Sequence, residues 1–240
     1  MGNKKIDYNN VWTFKSKNIA EHFDDHVAHS VPLYHEIQRM TLELSDYFLR
    51  NNDTVLDIGV STGTTIKNID RNSPRKNLSY IGIDESQEML NVASKNLKGI
   101  ENVELINSDL NKGFDEVKLS HKTISLVVSL FTLQFINFEH REFLLRRLYQ
   151  ALRPGGAIIL VEKVIGSTAQ FNEIMIDLYQ DMKIRNGLNP TDNQKKSKSL
   201  RGIMSPTSVD QNQLLLRKCG FNSIDTIFKW YNFAGFIAIK

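Results

Sequence analysis

The sequence has a single cysteine, Cys219, among its 240 residues. This scarcity excludes an internal disulfide and a metal site built from several cysteines. No apolar run approaches the about 18 residues that a membrane-spanning helix requires. The first ten residues, MGNKKIDYNN, lack the apolar segment of a secretory signal. Ile6 stands where a myristoylation signal needs serine or threonine. Together these absences predict a cytoplasmic protein with no membrane partner.

The sequence also has little excess charge. Its 30 lysines and arginines against 27 acidic residues leave a net charge of +3. This is too mild to indicate nucleic-acid binding without a basic stripe. The hydrophobic share of 41% and the charged share of 24% are typical of a globular domain. We therefore expect one structural domain with no direct nucleic-acid partner.

Residues 1–50 are predicted to form an N-terminal helical cover, because 17–50 carries apolar stripes at helical spacing. From residue 51 to 240, short apolar strands alternate with amphipathic helices, and the chain ends with a helix and two closely joined β-rich runs. The predicted parallel strands are 54–60, 78–85, 103–109, 123–130 and 157–165. Such alternation predicts an α/β fold with a parallel sheet and helices on both faces.

The segment TVLDIGVSTGTT, at 54–65, contains the spelling Gly-x-Ser-x-Gly of a hydrolase nucleophile elbow. A hydrolase of this type needs a histidine late in the chain, but none occurs in the last hundred residues. The six histidines are His22, His26, His29, His35, His121 and His140. A dinucleotide fingerprint is also incomplete, because Ser61 replaces its second glycine. Ser61 is therefore predicted to be a small residue in a cofactor turn.

S-adenosylmethionine suits this loop better, because it has no pyrophosphate that the backbone must approach closely. Gly59 and Gly63, with Ser61 between them, leave room for its methionine part. Asp57, just before the turn, can organise the loop or receive the α-ammonium. Asp84 ends the second strand, where one carboxylate can accept from both ribose hydroxyls. Asp109 ends the third strand, where the adenine amine needs an acceptor.

Several stretches resemble class I S-adenosylmethionine-dependent methyltransferases: VLDIGVSTG, GIDESQEM, NSDL, FTLQF and LRPGG. Over nearly its whole length the chain is similar to the carboxy-S-adenosylmethionine synthase family. That likeness includes FDDHVAHSVPLYHEI, FTLQFI, VEKV, RNG, IMSPTSVD and YNFAGFIAIK. The resemblance implies a Rossmann-like class I methyltransferase fold, with a seven-stranded, mostly parallel sheet whose last strand is antiparallel. It also implies S-adenosyl-L-methionine or S-adenosyl-L-homocysteine as the bound cofactor, and a homodimer.

The resemblance also assigns residues to the cofactor. They are Tyr34, Gly59, Val60, Ser61, Asp84, Glu85, Asp109 and Leu110. Two positions, 130 and 197, depart from the family. Leu130 stands where the family has an asparagine facing the cofactor. Ser197 stands where the family has an arginine that holds the carboxylate of the modified sulfonium. Lys196, Lys198 and Arg201 are candidate replacements, although lysine lacks the bidentate fork of arginine. With Tyr179 on the preceding helix, residues 196, 197, 198 and 201 are the predicted substrate contacts of a lid over the cofactor.

The second substrate is predicted to be a small molecule. The motif of amino-group methyltransferases that act on bases is missing, because the fourth strand continues SLFTLQF. A cysteine nucleophile for ring-carbon methylation is missing too, since Cys219 is predicted to pack at a helix end. The sequence assigns no catalytic residue.

Three hypotheses for function stay open. The leading one is an S-adenosylmethionine-dependent methyltransferase acting on a small anionic metabolite. The alternative is the family's own reaction, which makes carboxy-S-adenosylmethionine for tRNA wobble-uridine modification. In it, prephenate loses a carboxylate as carbon dioxide and the sulfonium ylide captures it. The third hypothesis is a non-catalytic subunit that binds the cofactor without turnover.

Overall fold

The computed structural model describes Ile6, residues 13–112 and residues 123–240. His121, considered above as a hydrolase histidine, lies outside these residues. Within them, no helix is both long enough and apolar enough to span a membrane.

The N-terminal part contains three helices where the sequence predicts two: α1 Lys17–Glu21, α2 Phe23–Ser30 and α3 Tyr34–Phe48. The helix is interrupted at His22, between α1 and α2. The ring nitrogen Nδ1 of His22 lies 2.7 Å from the carbonyl oxygen of Asn18. That carbonyl would otherwise accept the next helical N–H bond, so the side chain replaces the bond that would join α1 to α2.

The described residues form one seven-stranded sheet in the order β3-β2-β1-β4-β5-β7-β6. The strands are β1 Thr54–Ile58, β2 Ser79–Asp84, β3 Val103–Asn107, β4 Ile124–Leu130, β5 Leu152–Lys163, β6 Ser223–Trp230 and β7 Phe233–Ile239. Strands β1 to β5 pair in parallel, and β7 is antiparallel to both of its neighbours. The predicted fold class is therefore confirmed.

Helices connect these strands and cover both faces of the sheet. They are α4 Thr64–Asn72, α5 Gln87–Asn96, α6 Phe138–Ala151, α7 Ala169–Arg185, α8 Pro190–Ser199 and α9 Val209–Lys218, with a short 3-10 helix at Leu133–Phe135. The central strand β4 is buried at every position except its last, as its apolar sequence predicts.

Helix α8 carries Lys196, Ser197 and Lys198, three of the four residues after α7 that are predicted to be substrate contacts of the lid. It begins with Asn189, whose side chain accepts from the amides of Thr191 and Asp192, and with Pro190 in the first turn. None of its residues is fully buried, so it has no apolar stripe by which helical periodicity could identify it.

Glu162, buried near the end of β5, holds the loop that follows β4. Its carboxylate accepts hydrogen bonds from three consecutive backbone amides, those of residues 132, 133 and 134, at 3.2, 2.9 and 2.9 Å. Arg141, also buried, donates to the carbonyl of Ile136 at 2.8 Å and to that of Ser205 at 2.6 Å. Burial raises the pKa of Glu162, while the amides and Arg141 oppose that rise.

Glu162→Gln tests this anchor. The variant keeps the side-chain size but turns an NH2 group toward one of the three amides, leaving buried donors without an acceptor. We expect the free energy of unfolding to fall by about 2–3 kcal/mol in urea denaturation. Glu173→Gln, at an exposed position of α7, should change it by less than about 0.5 kcal/mol. Equal effects of the two variants would contradict the anchoring role.

Candidate cofactor and substrate site

A cavity of about 600 Å³ lies at the carboxyl ends of the parallel strands. This volume is within the range of small-molecule sites, and the position is the one where open α/β sheets bind ligands. Its walls come from the cofactor loop after β1, the ends of β2 and β3, the loop after β4, helices α2 and α3, and the lid helices α7 and α8.

The cofactor loop follows β1 in a conformation that needs a glycine at its start. Gly59 has φ +75°, and an added Cβ would lie 2.0 Å from Thr132 Oγ1. A larger residue would therefore displace the loop that Glu162 holds. The backbone amide of Ser61 donates to Asp84 Oδ2 at 2.9 Å, which ties the loop to the end of β2.

Ser61 is placed as a turn residue. It takes a left-handed φ of 50°, and its Oγ lies 3.6 Å from Met89 Sδ. Among the described residues, His26 is the histidine that lines the cavity, and its Nε2 lies 2.6 Å from Lys196 Nζ. The geometry agrees with a cofactor turn and gives no support to a hydrolase nucleophile.

Three acids from three adjacent strand ends line the same cavity: Asp57, Asp84 and Asp109. Burial, and then the charge of Asp84, raise the pKa of Asp57 to about 7. No described residue donates a hydrogen bond to its buried Oδ2. Burial also raises the pKa of Asp84, although the amides of Ser86 and Ser61 oppose the rise. Each Asp84 oxygen accepts one of these two amides, so each keeps a lone pair for a ligand hydroxyl.

Three lysines also line the cavity: Lys163 at the end of β5, Lys183 on α7 and Lys196 on α8. Burial, followed by their mutual repulsion, lowers the pKa of Lys183 and of Lys196 to about 7. Burial also lowers the pKa of Lys163. The Nζ atoms of Lys163 and Lys183 lie 5.2 and 4.2 Å from the centre of the Tyr179 ring.

Most residues that the sequence analysis singles out line this cavity. They are Tyr34, Asp57, Gly59, Val60, Ser61, Asp84, Glu85, Asp109, Leu110, Leu130, Tyr179, Lys196, Ser197 and Arg201. Gly63 is not among the lining residues and instead caps α4 with φ 81°. Lys198 is not among them either and is exposed, because α8 turns that position away from the cavity wall.

Sequence reasoning missed Lys163 and Lys183. Lys163 lies at the end of the fifth strand, a position equivalent to those of the three acids. Lys183 lies four residues after Tyr179, so both occupy the same face of α7. A search for charged residues at every strand end and on the inner face of the lid helix would have found both.

Comparisons with known proteins identify relatives of the whole chain. A family model for a methyltransferase domain matches residues 55–156. The carboxy-S-adenosyl-L-methionine synthase of Staphylococcus epidermidis is 43% identical over 229 residues, covering 95% of this chain and 97% of that protein.

Solved structures agree on the fold. Phosphoethanolamine N-methyltransferase 2 of Haemonchus contortus, in complex with S-adenosyl-L-methionine, matches with a TM-score of 0.62 at 16% identity. The match covers 96% of this chain and 60% of that chain. A SAM-dependent methyltransferase of Aquifex aeolicus matches with a TM-score of 0.58 at 17% identity, covering 93% and 98% of the two chains.

The residues present fit S-adenosylmethionine. The buried Asp57 oxygen, to which no described residue donates, can pair with an α-ammonium. The unused lone pairs of Asp84 suit ribose hydroxyls.

Asp57→Asn keeps the shape of the side chain and removes its charge. We expect the affinity for S-adenosylhomocysteine at pH 8 to fall at least about tenfold in isothermal titration calorimetry, which is about 1.4 kcal/mol.

The same titration has a defined pH dependence. The ligand ammonium prefers the ionised carboxylate, so wild-type affinity should fall as the pH drops from 8 to 6, through the Asp57 pKa of about 7. Asp57→Asn should flatten that dependence, and Asp177→Asn, at an exposed position, should leave it unchanged. A slope that persists in Asp57→Asn would refute the assignment.

Proposed function

Because the chain belongs to the carboxy-S-adenosyl-L-methionine synthase family, we propose that it makes the carboxylated cofactor from S-adenosylmethionine and prephenate. At the coarser level, the chain is an S-adenosylmethionine-dependent enzyme of one-carbon transfer with a methyltransferase domain. In this role S-adenosylmethionine supplies the carbon at which the new bond forms. Asp57, Asp84 and Asp109 are the residues that we propose hold it.

The observation that carries the proposal is the positive charge beside Ser197. The family's arginine is missing at that position, but Lys196 on the same helix lines the cavity together with Lys163 and Lys183. Three ammonium groups can balance the carboxylates of prephenate and of a carboxylated product, although without the planar fork of arginine. The loss of one arginine therefore does not remove the electrostatic condition for the reaction.

A methyltransferase acting on a small anionic metabolite is the second candidate. It is favoured by Leu130, which lines the cavity where the family has a polar asparagine. An apolar side chain there suits methyl transfer, in which alignment and exclusion of water supply most of the catalysis. The same lysines would then hold the anionic acceptor.

We also propose that residues 1–50 act as a cover for the domain formed by 51–240. Phe23, Val27 and Tyr34 contribute to the cavity wall, which supports this role. The reduced, buried Cys219 is consistent with work in the cytoplasm on a small molecule. No direct nucleic-acid contact is part of the proposal.

We propose in addition that two copies pair through the outer face of α7. Phe171, Ile174 and Leu178 are 53, 42 and 39% exposed. Their spacing puts them on one side of the helix, while Tyr179 and Lys183 of the same helix line the cavity. A contiguous apolar stripe on a surface is typical of an interface, and the family resemblance implies a homodimer.

The proposed reaction is tested by incubating the purified protein with S-adenosylmethionine and prephenate and analysing the cofactor by mass spectrometry. We expect a product heavier than S-adenosylmethionine by one carbon dioxide, together with phenylpyruvate. Neither should form without prephenate or with Asp57→Asn. Conversion to S-adenosylhomocysteine with another small carboxylate, and no heavier cofactor, would support methyl transfer instead. Tight binding without any product would support the non-catalytic hypothesis.

The pairing proposal is tested by sedimentation equilibrium. Ile174→Glu should convert the dimer to a monomer at micromolar concentration, because it places a charge in an apolar contact. Leu214→Glu, which changes a 53% exposed leucine on α9, should leave the dimer intact. A wild-type protein that sediments as a monomer would overturn the proposal.

A further inference from the structure

Cofactor binding does not explain the three lysines on the lid side of the cavity. The residues that the resemblance assigns to S-adenosylmethionine lie at the ends of β1, β2 and β3 and at Tyr34. Lys163 and Lys183 have no assigned role, and Lys196 enters only as a candidate replacement for the family arginine. Lys183 is buried and the other two are partly buried. Burial and mutual repulsion both disfavour ammonium groups gathered at one end of a cavity, and an anion bound there would offset both effects.

The order of strands separates charge along the cavity. From β3 through β2 to β1, the strand ends contribute Asp109, Asp84 and Asp57. The next strand, β4, ends in the apolar Leu130, and β5 beyond it ends in Lys163. The acidic side therefore suits the cationic and hydroxyl groups of the cofactor. The lysine side lies beyond it, at the β5 end of the cavity.

The lid helices hold the lysines close together. Lys183 Nζ donates to Asn193 Oδ1 at 2.6 Å, and Asn193 donates to Gln180 Oε1 at 2.6 Å, which ties α8 to α7. Lys196 Nζ lies 2.6 Å from Nε2 of the buried His26. Burial and the nearby lysines lower the pKa of His26 to about 2, so the ring is neutral and can accept from the Lys196 ammonium.

We propose that Lys163, Lys183 and Lys196 form a subsite that binds a carboxylate of the second substrate, at the β5 end of the cavity. The inference rests on the proposed function, because that function requires a small anionic molecule beside the cofactor. An anion there would relieve the repulsion among the lysines. The ligand class is a small mono- or dicarboxylate.

Binding to this subsite should be measured with S-adenosylhomocysteine-loaded protein and prephenate as the probe, by isothermal titration calorimetry. S-adenosylhomocysteine carries no transferable group, so the measurement does not depend on the reaction. Lys183→Met and Lys196→Met should each weaken prephenate binding at least about tenfold. Lys195→Met, an exposed neighbour on α8, should stay within about twofold of wild type. Binding of S-adenosylhomocysteine itself should be equal in all of them.

Stability separates a binding role from a structural one. Removing a buried positive charge relieves repulsion, so the thermal midpoint of Lys196→Met should stay the same or rise. If the lysines serve ligand binding, Lys196→Met should therefore bind prephenate more weakly and keep its stability. A lower midpoint with unchanged prephenate affinity would overturn the proposal.

The pH dependence supplies a third readout. Prephenate favours the ammonium forms, so its affinity should fall as the pH rises from about 6 to 8.5, through the pKa of about 7 of Lys183 and Lys196. Binding near pH 7.5 should take up protons, seen as a heat that varies with the buffer. The other titratable or charged groups that face the subsite are His26 from α2, Tyr179 from α7 and Arg201 after α8. His26 stays neutral over this range, and burial raises the pKa of Tyr179 above it.

The two proposals can fail separately. If no carboxylated cofactor forms but prephenate binding is lost in the lysine variants, the subsite stands and the proposed reaction is wrong. If the carboxylated cofactor forms and the lysine variants bind prephenate normally, the subsite is wrong. Absence of prephenate binding to the loaded wild-type protein would also overturn the subsite.

Discussion

The site depends on one buried carboxylate, that of Glu162, which accepts three consecutive amides of the loop after β4. These bonds bring Thr132 against the backbone of Gly59, so the cofactor loop has room only for a glycine there. The loop after β4 is in turn bonded to the end of β5, because Gln134 Oε1 accepts a hydrogen bond from the backbone amide of Lys163 at 2.9 Å. Glu162 thus connects the cofactor turn to the lysine side of the cavity.

The cavity is polarised because a parallel sheet brings its carboxyl strand ends to one edge. Acids lie at or near the carboxyl ends of β1, β2 and β3, and β5 ends in a lysine. Burial acts on both sides by disfavouring charge, which raises the pKa of Asp57 and lowers that of Lys183. A bound cation on one side and a bound anion on the other restore the charged forms, so ligand binding and protonation are linked at both ends.

The regular alternation of short apolar strands with amphipathic helices made the sheet predictable from the sequence. The apolar runs at 54–60 and 123–130 have the length and composition of buried strands, and the structure contains strands within both. Helix α8 escaped prediction because it has no buried face, and its start is marked only by Asn189 and Pro190. The break at His22 was missed because it depends on a side-chain contact with the carbonyl of Asn18.

The sequence by itself determined the fold and the acidic half of the site. Strand periodicity is local, and the three acids lie in or just after recognisable strand segments: Asp57 near the end of β1, Asp84 at the end of β2 and Asp109 two residues after β3. The sequence also indicated Lys196 as a substrate contact, but only the tertiary structure brought it together with Lys163 and Lys183. Lys163, Lys183 and Lys196 come from a strand, a long helix and a short polar helix, and no spacing in the sequence links them. They meet because α7 and α8 fold back over the end of β5, and that packing is a property of the whole chain.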